Sequence, residues 1–112
     1  MTIHSLEQPA TPKEIQGMLK TFGDYTKLAV DIKKGTLAGG GEFHADGVAT
    51  LLERGSQQED IWGADWFPKG KRIHYGALIN VRSKQKNNSL EIQDEEIRRK
   101  IERVVRKLLG TR

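Results

Sequence analysis

The chain of 112 residues contains no cysteine, which excludes disulfide bonds and thiolate metal sites. It also has no apolar run near the ~18 residues that a membrane-spanning helix needs. Its first residues, MTIHSLEQPATPKE, lack the basic start and apolar centre of a secretory signal. These absences predict a soluble, cytoplasmic protein that neither spans nor enters a bilayer.

Charge of neither sign dominates the whole chain, but positive charge is concentrated in its second half. Residues 1–56 carry 6 Lys+Arg against 7 Asp+Glu, whereas residues 57–112 carry 13 against 8, for a net charge of +4. This asymmetry favours an anionic partner such as nucleic acid, although a mild basic excess also serves solubility. The length fits a single domain, 1–112, in which residues 1–10 form a tail or an edge segment.

Two helices are predicted near the ends of the chain. Thr11 caps the first helix, with Glu14 three residues later reaching back, and Gly23 ends it. Asp94 caps the last helix, and Gly110 ends it. The last helix carries an apolar stripe at helical spacing, made of Ile97, Ile101, Val104, Val105 and Leu108.

Four segments have the alternating pattern of strands. Lys27–Lys33 and Thr36–Ala45 flank a turn and predict a hairpin, Asp60–Pro68 is a third extended segment, and Arg72–Val81 is a fourth. The predicted fold is therefore α+β and two-layered, with an antiparallel sheet of about four strands and the N- and C-terminal helices packed on one face.

The segment after the hairpin permits two interpretations. Val48, Leu51 and Leu52 have helical spacing before Gly55, which favours a short helix capped by Asp46. A strand over 47–54 is nearly as compatible with the pattern.

The alternation also predicts which side chains share the open face of the sheet. If the apolar sides of the strands face the helices, ionisable and polar groups gather on the other side, where they make a catalytic or ligand surface or an ordinary solvated face. The residues concerned are Asp31, Glu42, His44, His74 and Asn80, with Arg82 just beyond.

A metal site would draw on the stretch GGGEFHAD. In a straight strand Glu42 and Asp46 would stand ~13 Å apart, too far to bind one ion together. A single-ion site therefore needs the strand to bend at Asp46, or a further ligand from elsewhere, such as His74, Glu59 or Asp60. One hypothesis is a metal-dependent hydrolase in which Glu42, His44 and Asp60 bind a divalent ion. Its general base would be His74 or Glu59.

Three blocks, GGGEFHAD, GSQQEDIWG and INVRSKQKNNS, give the chain a family resemblance. It resembles a family of short uncharacterised prokaryotic proteins with these blocks in this order, over residues 12 to 109. The resemblance implies no activity, but it implies a set of recurring polar residues, which suits a ligand or reaction site better than packing. They are Glu42, His44, Asp46, Gln58, Glu59, Asp60, Asn80, Arg82, Gln85 and Asn87.

The leading hypothesis is a binding module for an anionic ligand, with nucleic acid as one candidate. The polar face and the basic loop, which runs from Arg82 to Asn88, would hold the ligand. A homodimer formed through this face or through Trp62 and Trp66 is a further hypothesis. Whether the protein is an enzyme is left open. The proposed ligand-binding residues are Asn80, Arg82, Lys84, Gln85, Lys86 and Asn87.

Overall fold

Strand β2 (Thr26–Asp31) lies at the centre of the sheet, between β3 (Thr36–Gly39) and β4 (Ile61–Phe67). The outer strands are β1 (His4–Leu6), paired with β3, and β5 (Arg72–His74), paired with β4. The computed structural model describes residues 3–110, and the sheet has the order β1-β3-β2-β4-β5 with every pair antiparallel. The predicted α+β class and antiparallel sheet are confirmed. The sheet has five strands where about four were predicted, because the N-terminal segment forms the edge strand β1.

Three helices pack on the sheet: α1 (Pro12–Leu19), α2 (His44–Glu53) and α3 (Glu95–Leu109). The predicted caps of α1 and α3 are confirmed. Thr11 and Glu14 each accept a backbone N–H of the other, at 3.1 and 2.9 Å, and Asp94 accepts the N–H of Glu96 at 2.8 Å. Within residues 3–110, none of the helices is long and apolar enough to cross a membrane.

The terminal helices α1 and α3 cover the same face of the sheet, as predicted. Alternate residues of β2 and β4 point into this core, so the register brings Leu28 beside Ala64 and Val30 beside Trp62. Burial of these side chains is the main stabilising contribution, at ~25 cal/mol per Å² of apolar surface removed from water. The helices contribute Met18, Ile101, Val104, Val105, Leu108 and Leu109 to this core.

Helix α2 packs on the opposite face, which the sequence predicted to be open. Val48 and Leu51 of α2 pack against Ala29 and Ala38 of the sheet. The approach is close, because a Cβ added at Gly47 would lie 3.0 Å from both the Ala29 Cβ and the Ala38 carbonyl oxygen. The second face is therefore largely covered, while His74 of β5 remains exposed.

The boundary between the hairpin and α2 falls earlier than predicted. Strand β3 ends at Gly39, and Gly40 has a φ of 103°, which favours glycine and turns the chain out of the sheet. Helix α2 then begins at His44 and ends at Glu53, so the helical interpretation of this segment is confirmed and the strand alternative is wrong. Asp46 lies in the first turn and accepts the N–H of Phe43 at 3.0 Å, instead of preceding the helix.

Strand β5 is shorter than predicted, ending at His74 instead of Val81. The reason is the side chain of Asn80, which takes the place of a pairing strand beside Gly63. Its Oδ1 accepts the Gly63 N–H at 2.8 Å, and its Nδ2 donates to the Gly63 carbonyl at 3.0 Å. One amide side chain thus satisfies the backbone of β4 where β5 has ended.

Candidate functional site

His44 lies at the first position of α2, and its side chain is hydrogen-bonded to strand β4. The Nε2 atom is 2.8 Å from Oδ1 of Asp65, and the two side chains are only 13% and 14% exposed. Asp65 reaches this position because Asp65 and Ile61 lie on the face of β4 that α2 covers, whereas Trp62 and Trp66 face the other core. The start of a helix and the middle of a strand therefore meet at one histidine and one carboxylate.

A second histidine binds the other oxygen of the same carboxylate. His74 is paired with Asp65 in the register of β4 and β5, and its Nδ1 lies 3.3 Å from Oδ2 of Asp65. The Nε2 of His74 lies 3.3 Å from Oε1 of Glu91. Glu91 forms an ion pair with His74 when the ring is protonated. We call His44, Asp65, His74 and Glu91 the histidine chain.

Asp65 fixes the orientation of the His44 ring. An ionised carboxylate can only accept, so the Nε2 of His44 carries the proton that is donated to Asp65. In the neutral ring, the lone pair then lies on Nδ1. No residue in the described part of the chain hydrogen-bonds to this Nδ1, which leaves it available as a proton acceptor.

His44 lines a cavity of about 380 Å³, which we call the His44 cavity. Its walls are mainly apolar, and two of them are large exposed side chains: Phe43 is 63% exposed and Leu78 is 79% exposed. Lys27 and His44 are the residues with polar side chains in the lining. Such a space suits a small ligand that combines an apolar, flat part with a negative charge. The remaining lining residues are Ala45, Ala77 and Ile79.

A row of aromatic and cationic side chains runs along the surface from this cavity. The Lys27 Nζ lies 5.8 Å from the Phe43 ring and 5.0 Å from the Phe22 ring, so it joins the cavity to the row. Stacked rings follow at centroid distances of 4.8 and 4.9 Å, and a guanidinium lies 4.8 Å from the last ring. In order, the aromatic-cation row is Phe43, Lys27, Phe22, Tyr25, Phe67 and Arg72.

The predicted ligand residues Asn80 and Asn87 lie inside the protein. Asn80 is 0% exposed, and Asn87 is 3% exposed. The Asn87 Nδ2 donates to the Asn80 carbonyl at 2.8 Å, and its Oδ1 accepts the N–H of Gln93 at 2.9 Å. Their hydrogen-bonding groups hold the 80–93 loop against β4, and a role in ligand binding stays a prediction.

Arg82 ties the same loop to the start of β4. Its Nε donates to the Ile79 carbonyl at 2.9 Å, and its Nη2 donates to the Ile61 carbonyl. The guanidinium also lies 4.3 Å from the Trp62 ring, and burial lowers the pKa of Arg82. Gln85 continues this contact by donating to the Glu59 carbonyl at 2.9 Å. Most of the guanidinium is therefore engaged with backbone carbonyls.

The other predicted residues are dispersed. Lys84 and Lys86 are exposed on the loop, and Glu42 is exposed before α2. Glu59 and Asp60 lie in a one-turn 3₁₀ helix just before β4. Four residue steps along the strand, ~13 Å, separate Ile61 from Asp65. Within residues 3–110, no three His, Asp or Glu side chains are grouped so that they could hold a metal ion. The structure does not unite Glu42, His44 and Asp60, and the role of Glu59 as a base stays a prediction.

Asp31, expected on the open face, is also buried. Its Oδ1 accepts the N–H groups of Lys33 and Lys34 at 2.9 Å, and its Oδ2 accepts the Ser56 hydroxyl at 2.6 Å. Of the residues predicted to share that face, the structure brings His44 and His74 together, through Asp65.

Sequence reasoning missed Asp65, Glu91, Lys27 and Phe43 as members of the site. One signal was present: Asp65 is a carboxylate within the apolar segment IWGADWF, where burial requires a partner. The other three come to the site through tertiary packing and have no local signature.

Fold and site together define a small α+β protein with a carboxylate-oriented histidine beside an apolar cavity. The chain belongs to the family described as "Protein of unknown function (DUF5674)", whose model matches residues 4–108. None of the curated proteins compared, and none of the solved structures, matches the chain.

Proposed function

We propose that this is a cytoplasmic nucleotide-binding module, which takes the nucleotide free or within a single strand. The base would lie against Phe43 in the His44 cavity, and a phosphate would lie at Lys27. The observation that carries the proposal is the coincidence of an exposed aromatic ring, a cation and an oriented histidine at one cavity. This is the anionic ligand expected from the charge pattern, held at a site different from the basic loop.

The size and lining of the cavity support a single base. Ligand pockets commonly measure ~300–1,000 Å³, so about 380 Å³ is at the small end. Stacking of one base on an exposed aromatic ring contributes ~1–3 kcal/mol and tolerates any base. Phe43 offers a ring that is 63% exposed for this purpose, whereas Tyr25 is already stacked between Phe22 and Phe67.

The aromatic-cation row supports a path for a strand beyond the first nucleotide. Lys27 and Arg72 lie at different points of this row, one beside Phe43 and one beyond Phe67. Two phosphate contacts predict a slope of about −1.4 for log K against log salt, because a single strand releases ~0.7 counterion per contact.

The basic loop is a less favoured binding site for the same kind of ligand. Lys84 and Lys86 are exposed, but Asn80, Arg82 and Asn87 bind within the protein. The predicted orienting groups are therefore occupied, whereas the Nδ1 of His44 has no bonding partner among the described residues.

Fluorescence anisotropy with a labelled single strand tests the proposal. We expect binding at low salt, competition by a free nucleotide and weak binding of a duplex. Phe43→Ala and Lys27→Ala should each lower the affinity roughly tenfold, since either loses about 1.4 kcal/mol of contact. Leu90→Ala and Lys84→Ala are the matched controls, because both residues are exposed and lie outside the cavity lining.

Three outcomes contradict this site. Absence of binding at low salt would contradict nucleotide binding. A loss of affinity in Lys84→Ala but not in Lys27→Ala would show that the ligand binds at the basic loop instead. Phe43 and Leu78 are also suited to a homodimer contact, because both are exposed apolar side chains at the cavity. Sedimentation showing a dimer that Phe43→Ala dissociates would assign this surface to a second copy of the chain.

A further inference from the structure

We propose that His44 is the general base of a ribonuclease reaction at the His44 cavity. This inference rests on the proposed nucleotide binding and adds an activity to it. The substrate class is single-stranded RNA, and the reacting group is the phosphodiester held at Lys27.

The first step of the argument is the state of His44. Asp65 accepts the proton of Nε2 at 2.8 Å, so the neutral ring presents the lone pair of Nδ1. The side chain is 13% exposed and lines the cavity, so a ligand in the cavity would lie beside the imidazole. A positioned imidazole with an orienting carboxylate is the arrangement that general-base catalysis needs.

The second step is the source of the nucleophile. The chain has no cysteine, and the cavity lining contains no serine, threonine or tyrosine hydroxyl. The nucleophile therefore comes from outside the protein, either from water or from the substrate. RNA carries its own, because the 2′-hydroxyl is adjacent to the phosphorus and one base suffices to activate it.

The reaction is balanced as follows. Nδ1 of His44 takes the proton of the 2′-hydroxyl, the O2′–P bond forms, and the P–O5′ bond breaks. The departing 5′-oxygen takes a proton from solvent, which leaves a 2′,3′-cyclic phosphate and a 5′-hydroxyl. The ammonium of Lys27, in the same cavity lining, offsets the negative charge that develops on the phosphate oxygens.

Asp65 and His74 are positioning residues in this scheme. Asp65 holds the His44 ring, and His74 holds the second oxygen of Asp65 at 3.3 Å while contacting Glu91. Loss of His74 should therefore weaken the reaction less than loss of Asp65, and neither should change the affinity for a strand that cannot react.

The test compares RNA with 2′-O-methyl RNA of the same sequence, in the presence of EDTA. We expect the protein to bind both, to cleave only the RNA, and to yield a 2′,3′-cyclic phosphate identified by mass spectrometry. His44→Gln should lower the cleavage rate at least 100-fold, far more than it lowers the affinity for 2′-O-methyl RNA. Asp65→Asn should lower the rate ~10-fold or more, and His74→Gln by a smaller factor.

His4→Gln is the matched control, because His4 lies on the edge strand β1 outside the histidine chain. All variants are purified in parallel, so that a contaminating nuclease would appear equally in each, and circular dichroism establishes that they fold. Binding without cleavage overturns the ribonuclease and leaves the nucleotide site standing. Equal cleavage by His44→Gln also overturns it, and absence of binding to either strand overturns both proposals.

Discussion

Replacing Asn80 with alanine should remove a large part of the stability of this protein. The side chain is 0% exposed and serves both backbone groups of Gly63, at 2.8 and 3.0 Å. Its Nδ2 also lies 3.3 Å from the Leu90 carbonyl. Alanine cannot supply either function, so the N–H and C=O of Gly63 would be buried without their partner.

The expected magnitude follows from these contacts. An unsatisfied buried polar group costs ~1–3 kcal/mol, and two such groups plus the vacated space give a loss of about 3–5 kcal/mol. Small domains unfold with only ~5–15 kcal/mol in total. At roughly 4 °C per kcal/mol for a chain of this length, the melting temperature should fall by about 12–20 °C.

Urea unfolding followed by tryptophan fluorescence measures the effect directly. Both tryptophans, Trp62 and Trp66, are buried in the core, so they report global unfolding. Asn88→Ala is the matched control, since Asn88 is exposed and should change stability by less than ~0.5 kcal/mol. A loss below ~1 kcal/mol for Asn80→Ala would refute the view that this amide replaces a pairing strand.

Other predictions concern the packing and titration of single residues. Arg82→Lys should lower the free energy of unfolding by ~2 kcal/mol, because an ammonium cannot reach the carbonyls that the guanidinium bridges. Thermal unfolding measures this, and an unchanged melting temperature would contradict it. Gly63→Ala should lower the free energy of unfolding by ~1–3 kcal/mol, since its Cβ would lie 2.6 Å from the Ala77 Cβ. An unchanged midpoint of urea unfolding would contradict this. Burial, together with the charge of Glu102, raises the pKa of Tyr75 above its ordinary 10.0. Absorbance titration of the Tyr25→Phe protein, in which Tyr75 is the remaining tyrosine, should therefore show ionisation at a higher pH than for an ordinary tyrosine. The neutral form of Tyr75 then stabilises the folded state below pH 10, and this stabilisation is lost as the pH rises through the raised pKa. The Tyr75→Phe protein should not show this pH-dependent loss of stability.

Much of the fold could be predicted because its signals are local. The caps at Thr11 and Asp94 and the apolar stripe of α3 act over a few residues, and the structure has them as expected. The boundary at Gly39 could not be placed, since glycines 39–41 continue the alternation while Gly40 has a left-handed conformation. Nor could the end of β5, because the amide that replaces its pairing is at Asn80, six residues beyond His74.

The sequence makes the histidines of the candidate site conspicuous, but not the carboxylate between them. The sequence predicts His44 and His74 as candidate residues, whereas Asp65, which contacts both, lies in a segment predicted only to be extended. Pairing across β4 and β5 and the packing of α2 decide this meeting, and both act between residues distant in sequence. For the same reason Asn80, Arg82 and Asn87 were selected for their polarity, whereas burial gives them internal partners.

The two edge strands of the five-stranded sheet, His4–Leu6 and Arg72–His74, are only three residues long. An edge strand this short offers few unpaired backbone N–H and C=O groups with which another chain could pair. We therefore expect the protein to stay free of fibrils and edge-to-edge polymers at high concentration, which thioflavin fluorescence and light scattering on a concentrated sample would check.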